Sequence, residues 1–296
     1  MNQNPYTLPA DVRSFIPHRD AMLLINSLDI VEPDTGKASA IIRRENIFYE
    51  PLTGLNPVAF VELIAQTAAA HNGYMDLMHK SPIHPGFLAA IKDFHTNGIV
   101  KEGDSLHIHI QRVLEINNAT VLEGRVESEN GAKIAAGTLN LWIFDEVLLL
   151  PQERGNEIPV NGKLIPSGIK LGKNRDAVSS YITDHIRIQK ADEAMLAAGI
   201  CFAPDFVGFK GHFPNSPILP GIITLQVAVV STEILLKNRI CLKKVDKTKF
   251  LQPALPNQWV NIECTIHKDE KGQYSRVQFS ADNHKIASVM LHFEEI

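Results

Sequence analysis

Two stretches of this chain are apolar on every side of a helical period, and segments of strand character follow each one. The first runs from Asn56 to about Met78. Asn56 suits an N-cap and Pro57 suits the first helical position. Val58-Ala-Phe-Val-Glu-Leu-Ile-Ala-Gln then leads into alanines. The second opens at Gly221 and runs from Ile222 to Leu236, with no charge before Glu233. A helix that is apolar all round is a buried helix. Strands are expected after the first helix at Phe87 to Asp93, Ser105 to Leu114, Ala119 to Ser128 and Lys133 to Phe144. Before it, a Leu-Leu strand, a turn at Glu32-Pro-Asp-Thr-Gly and a strand from Ala38 to Arg43 are expected.

The pattern repeats. Ile91-Lys-Asp-Phe finds an echo in Val245-Asp-Lys-Thr-Lys-Phe, and Leu106-His-Ile-His-Ile in Val260-Asn-Ile-Glu-Cys. Lys133-Ile-Ala-Ala-Gly-Thr-Leu-Asn-Leu is matched by Lys285-Ile-Ala-Ser-Val-Met-Leu-His-Phe. Each half reads as loop, buried helix, then four strands. Between the halves, residues 149–178 hold Pro151, Pro159, Pro166, Gly155, Gly162, Gly168 and Gly172, the composition of a linker. The chain therefore divides into a unit over 1–148, a linker over 149–178 and a second unit over 179–296.

Composition narrows the class. A chain of 296 residues with 45% hydrophobic and 21% charged residues has an ordinary globular balance. A net charge of -4 argues against nucleic acid as a partner. Cys201, Cys241 and Cys264 are widely spaced, which fits a reducing compartment and no metal site. No apolar run is long enough to span a bilayer. The polar N-terminus does not read as a signal peptide, so a cytoplasmic location is expected. His107 and His109 alternate with apolar residues and so share one strand face. Without a third ligand at suggestive spacing, a solvated sheet face is the simpler reading.

Two stretches carry chemistry. In Phe209-Lys-Gly-His-Phe-Pro-Asn-Ser-Pro-Ile-Leu-Pro-Gly, a glycine lets the chain turn before His212, and Pro214, Pro217 and Pro220 stiffen the path into the buried helix. A histidine so placed has the form of a catalytic base, the alternative being a loop histidine that caps a helix. In the first helix Glu62 and Gln66 lie on one face, four residues apart. A carboxylate there needs a partner or a functional reason.

Gly-His-Phe-Pro followed by Pro-Ile-Leu-Pro-Gly and a long helix resembles the 3-hydroxyacyl-ACP dehydratases of the FabA/FabZ type. The helix motif Val-Glu-Leu-Ile-Ala-Gln resembles the acidic helix of the same family. The first half is similar to the His-lacking dehydratase-like subunits of aryl-polyene-type pathways. The resemblance implies an α+β double hotdog, two tandem units each with a long helix wrapped by an antiparallel sheet, forming an internal pseudo-dimer. It also implies that each site lies at the dimer interface, with His from one unit and an acid from the other. Position by position the first half keeps the acid, Glu62, and has no histidine in its helix-entry loop. The second half keeps His212 and has Gln226 at the acid position. One composite site thus receives His212 and Glu62, and the other is degenerate, with Gln226 and no histidine.

By this resemblance the chain dehydrates (3R)-hydroxyacyl-ACP thioesters to trans-2-enoyl-ACP in fatty-acid or polyketide-type biosynthesis. His212 is expected to be the base and Glu62 the acid. Gly221 is expected to supply the oxyanion N–H, with Val58 as the other candidate because Pro57 has none. Gln66 is expected to hold water or Glu62, and Phe213 and Pro220 to line the substrate site. His18 and Arg19, in Ile16-Pro-His-Arg, are read as structural. No cofactor is implied beyond the phosphopantetheine arm of acyl carrier protein. The run Lys237, Arg239, Lys243, Lys244, Lys247 and Lys249 is either a carrier-steering surface or a solvated face. The resemblance leaves room for homo-oligomers of double hotdogs. Two rivals stand beside this reading: a hotdog thioesterase using Glu62, and a non-catalytic partner that binds acyl carrier.

Overall fold

The structure is a computed structural model that describes residues 6–144, 162–165, 175–212, 217–270 and 272–296. The first buried helix, α1 (Ala59–Met78), and the second, α3 (Gly221–Leu236), form where the apolar runs predict them. A shorter helix, α2 (Ala177–His185), precedes the second unit. The first unit supplies β1 (Ala10–Asp11), β2 (Ser27–Val31), β3 (Thr35–Ile41), the small hairpin β4 (Tyr49–Glu50) and β5 (Gly54–Leu55), then β6 (Gly86–Thr96), β7 (Ser105–Ile116), β8 (Ala119–Ser128) and β9 (Lys133–Ile143). The second supplies β10 (Arg187–Ala191), β11 (Met195–Cys201), β12 (Ile240–Phe250), β13 (Trp259–Asp269), β14 (Gly272–Ala281) and β15 (His284–Glu295).

Thirteen strands join in one antiparallel sheet, in the order β1-β2-β3-β7-β8-β9-β6-β12-β15-β14-β13-β11-β10. Apart from the extra edge strand β1, the order reads the same from either end, so β6 and β12 are equivalent strands paired where the two units join. Val245 faces Phe94 and Thr248 faces Ile91 across this seam, and the Thr96 hydroxyl donates to the Leu242 carbonyl at 2.7 Å. The architecture is a double hotdog, each half of the sheet curving around its own helix.

The helices are held by what the sheet leaves out. Gly124 on β8 has no side chain, and a Cβ there would lie 2.3 Å from the Ile64 side chain of α1. Every residue from Ile222 to Leu235 of α3 is buried. Each large aliphatic side chain so buried contributes roughly 1.5–3 kcal/mol, so this helix is stable only inside the sheet. Glu233 is its one charge. Arg175 and Arg239 both bind its carboxylate, the latter at 3.3 Å, and Arg239 also reaches Glu50 at 3.2 Å. Arg175 and Glu233 are both buried. The pair carries the chain just before α2 onto the C-terminal half of α3.

Several expectations change here. The helix α2 begins at Ala177 and Asp176 caps it, so the last residues assigned to the linker belong to the second unit. Of the rest of that linker, 149–161 and 166–174 lie outside the described residues. Part of the basic run is ion-paired, while Lys237, Lys247 and Lys249 are exposed. Lys243 binds Glu294 at 2.8 Å, Lys244 binds Asp93 at 2.5 Å, and Arg239 is tied to Glu50 and Glu233. His107 and His109 do share a face of β7, and each has a polar neighbour: Ser39 Oγ at 3.3 Å from His107 and Glu127 at 3.3 Å from His109. No three metal-ligating side chains cluster among the described residues, and no described helix is long and apolar enough to cross a membrane.

Arg175→Leu should destabilise the fold by about 3 kcal/mol in chemical denaturation, because it strands part of the charge on buried Glu233. The double replacement Arg175→Leu/Glu233→Leu should lose less than the single one, leaving Arg239 paired with Glu50. A double variant weaker than the single would refute this account.

Candidate active site

The catalytic candidates meet where the two units touch. The N-terminal segment of the first unit crosses the helix-entry loop of the second, and the Arg19 N–H donates to the Gly211 carbonyl at 2.9 Å. Gly211 has φ +82, and a Cβ on it would sit 1.8 Å from the Arg19 carbonyl oxygen. Only glycine permits both the left-handed backbone and this approach. The Arg19 guanidinium donates to the carbonyls of Arg13, Ile16 and His18, fixing the segment's shape. Arg19 is therefore structural, as its sequence context suggests.

His18 is not. It is buried beside the site, with Nε2 3.5 Å from Glu62 Oε1 and its ring edge-on to that of His212, centroids 5.4 Å apart. His18, Glu62 and His212 line one cavity of about 560 Å³, a volume typical of a small-molecule site. The motif Pro-His-Arg was visible in the sequence, but nothing in its spacing placed it beside residues 62 and 212.

Glu62 lies on the first turn of α1 and is buried. Gln66, one turn on, donates to Glu62 Oε1 at 2.9 Å and to the Met22 carbonyl at 2.6 Å, and accepts from the Leu24 N–H at 2.9 Å. It holds the carboxyl and clamps the N-terminal segment to α1. Burial pushes the Glu62 carboxyl up to about 7, the bond from Gln66 pulling the other way. Burial also lowers the His212 imidazole to about 4, opposed by the Ile218 carbonyl. His18 is held well below its ordinary value by burial first, then by His212 and Arg19. Both histidines are thus neutral at neutral pH, and the His18–Glu62 contact is not an ion pair there. His212 Nδ1 lies 3.1 Å from the Ile218 carbonyl. A carbonyl only accepts, so Nδ1 carries the proton and Nε2 keeps the lone pair of a base.

Gly221 begins α3 and lines the same cavity. As the first helical residue, its N–H has no partner within the helix. Pro220, just before it, is buried and holds the turn into the helix. At the equivalent start of α1 the Val58 N–H donates to Asn56 Oδ1 at 3.2 Å, and Val58 does not line the cavity. Gly221 is therefore the donor candidate and Val58 is not. Phe213 lies outside the described residues. From the end lined by His18, Glu62 and His212 the cavity follows α1 past Ala65 and Ala69 to Asn72 and His84, between β6, β9 and the segment after β12.

The other composite site is filled. Phe48 stands fourteen residues before Glu62, as His212 stands before Gln226, and it is fully buried. Gln226 Nε2 donates to Ser179 Oγ of α2 at 2.8 Å. The Ser179 hydroxyl and N–H bind Asp176, which also accepts from Asn56 Nδ2 at 3.0 Å. Helix α2 thus occupies the place that the His18 segment takes beside Glu62, with a chain of hydrogen-bonded polar side chains instead of a histidine and a carboxyl.

Residues 10–148 match the ApeP-like family, described as ApeP dehydratase, and residues 188–290 match the ApeI-like family, described as ApeI dehydratase. The 3-hydroxyacyl-[acyl-carrier-protein] dehydratase FabZ of Haemophilus influenzae is 30% identical over 87 residues, which is 27% of this chain and 59% of that protein. Other curated FabZ relatives are matched over about half their length. A chain of the dehydratase heterocomplex ApeI:P from Xenorhabdus doucetiae is 20% identical, covering 48% of this chain and 94% of that one, with a TM-score of 0.43. Over 88% of this chain and 98% of the other, the fold is that of an acyl-ACP thioesterase from Bacteroides thetaiotaomicron, at 10% identity and a TM-score of 0.56.

Gly211→Ala should cost more stability than Gly98→Ala. Both glycines have positive φ, but a Cβ at 98 comes no closer than 3.5 Å to a neighbour. Strain alone costs about 1 kcal/mol, and the Arg19 carbonyl adds to it at 211. Equal losses in thermal melts would contradict the seam. Glu62→Gln should stabilise the protein at pH 8 and leave it nearly unchanged at pH 5. Between its ordinary 4.5 and about 7 the folded state binds the extra proton, so stability falls as pH rises. The carboxylate costs about 3 kcal/mol above pH 7, and glutamine removes that cost. A variant no more stable than the parent at pH 8 would contradict it. The chain is therefore a tandem of dehydratase-family domains, an ApeP-like hotdog followed in the same polypeptide by an ApeI-like one.

Proposed function

We propose that the chain removes water from (3R)-hydroxyacyl thioesters carried on the phosphopantetheine arm of acyl carrier protein, giving the trans-2-enoyl thioester. The observation that carries this reading is the meeting of His212 from one unit and Glu62 from the other in one cavity at a helix N-terminus. His212 Nε2 takes the C2 proton. The C2–H electrons form the C2=C3 bond as the C3–O bond breaks, and protonated Glu62 gives its proton to the departing hydroxyl, which leaves as water. Negative charge on the thioester oxygen is met by the Gly221 N–H and the positive end of α3. The apolar wall along α1 takes the acyl chain. With only one intact pair, each polypeptide works one site. Fatty-acid or polyketide-type biosynthesis, in the cytoplasm, is the setting that fits this chemistry.

The thioesterase-like neighbour supports the fold alone, and a thioesterase would leave His212 and its loop without a task. Incubation with a 3-hydroxyacyl-ACP decides the matter. The expected product is the enoyl thioester, followed by its ultraviolet absorbance. Thiol release without enoyl would point to a thioesterase, and acyl-carrier binding without turnover would point to a non-catalytic partner.

His212→Ala and Glu62→Gln should each lower kcat by about 10²–10⁴, while Gln226→Ala should leave it nearly unchanged. Equal losses in all three would overturn the assignment of one live site. The rate should need neutral His212 and protonated Glu62. The profile of kcat/KM should therefore fall as pH drops through about 4 and as it rises through about 7. A rate still climbing at pH 9 would exclude Glu62 as the acid.

A further inference from the structure

We infer that His18 is the proton relay that returns the site to its starting state after each turnover. The inference rests on the dehydratase reading above. One cycle leaves His212 with the C2 proton, as imidazolium, and leaves Glu62 without the proton that departed in water. The next cycle needs the opposite distribution. His212 must lose one proton and Glu62 must gain one, and both side chains are buried.

His18 lies beside both. Its Nε2 is 3.5 Å from Glu62 Oε1, and its ring stands edge-on to His212 at 5.4 Å between centroids. It lines the cavity and is itself buried. An imidazole relays well because it takes a proton on one nitrogen while giving one from the other. His18 passes its Nε2 proton to the Glu62 carboxylate and receives one at the other nitrogen from the His212 imidazolium, the product water bridging any gap between the rings. No atom is gained or lost, and His18 ends as the other tautomer until rotation or exchange with water restores it.

The geometry is built rather than incidental. Arg19 holds the His18 carbonyl, its own N–H is bonded to Gly211 next to His212, and Gln66 fixes both Glu62 and the carbonyl of Met22. The relay is thus fastened to the base on one side and the acid on the other. In the filled composite site the matching place belongs to α2, which presents Ser179 to Gln226 and no titratable ring.

His18→Gln keeps a hydrogen-bonding group of similar reach and removes the relay, and His18→Ala opens space for added imidazole. With enzyme in excess, a single turnover should slow by less than about threefold in His18→Gln. Steady-state kcat should fall by about tenfold or more. Free imidazole should restore kcat in His18→Ala. Equal slowing of the single turnover and the steady state would make His18 a positioning residue for Glu62 and overturn the relay, as would an unchanged kcat.

A second measurement does not depend on activity. In isotope-labelled protein, the His18 ring nitrogen shift should follow the Glu62 titration near pH 7 and lose that step in Glu62→Gln. A ring that ignores Glu62 overturns the relay even if the parent enzyme is fully active. A parent that makes no enoyl product while the coupling is present refutes the dehydratase reading instead.

Discussion

The Arg19 carbonyl occupies the space where a side chain on residue 211 would be. That close backbone approach is the constraint on which the site depends. It brings the N-terminal segment of one hotdog unit against the histidine loop of the other, and the bond from the Arg19 N–H to Gly211 locks it there. The paired strands β6 and β12 hold the units side by side. The contact at Gly211 sets the fine geometry, because His18 is adjacent to one partner and His212 to the other.

Burial then does the electrostatic work. The same apolar walls push the Glu62 carboxyl up to about 7 and hold both imidazoles down, so each group favours its neutral form. The cost is paid in stability by Glu62, whose ionisation the fold resists. Glu233 shows the contrasting solution: it stays inside because two arginines and a backbone N–H answer it.

The two composite sites have diverged by substitution of what lies over each helix. Beside α1 the segment with His18 leaves a cavity open. Beside α3 the cap of α2 closes the space with Asp176, Ser179, Asn56 and Gln226 bonded among themselves. This network gives Gln226 Nε2, Ser179 and Asp176 their hydrogen bonds inside the protein, while Gln226 Oε1 is buried without a partner among the described residues.

Much of the architecture was decided by the sequence alone. The two apolar runs could only be buried helices, the alternating segments could only be sheet strands, and their repetition required two like units. His212 and Glu62 stood out singly, because loop stiffness and a lone carboxyl in an apolar helix are local properties, and their pairing across the two units was what the family resemblance implied. What the linear pattern did not contain was distance across the seam. His18 reads as one polar residue in a Pro-His-Arg segment until the fold sets it between residues 62 and 212. Likewise α2 sits at the edge of a proline- and glycine-rich stretch and declares itself only through Asp176 and the packing against Gln226. The ion pairs of the basic run were not legible because their acidic partners, Asp93, Glu50 and Glu294, lie far away in sequence. Periodicity and motif report what a residue's neighbours in the chain impose. Which residue faces an acid, a base or a cavity is imposed by neighbours in space, and only the tertiary structure supplies those.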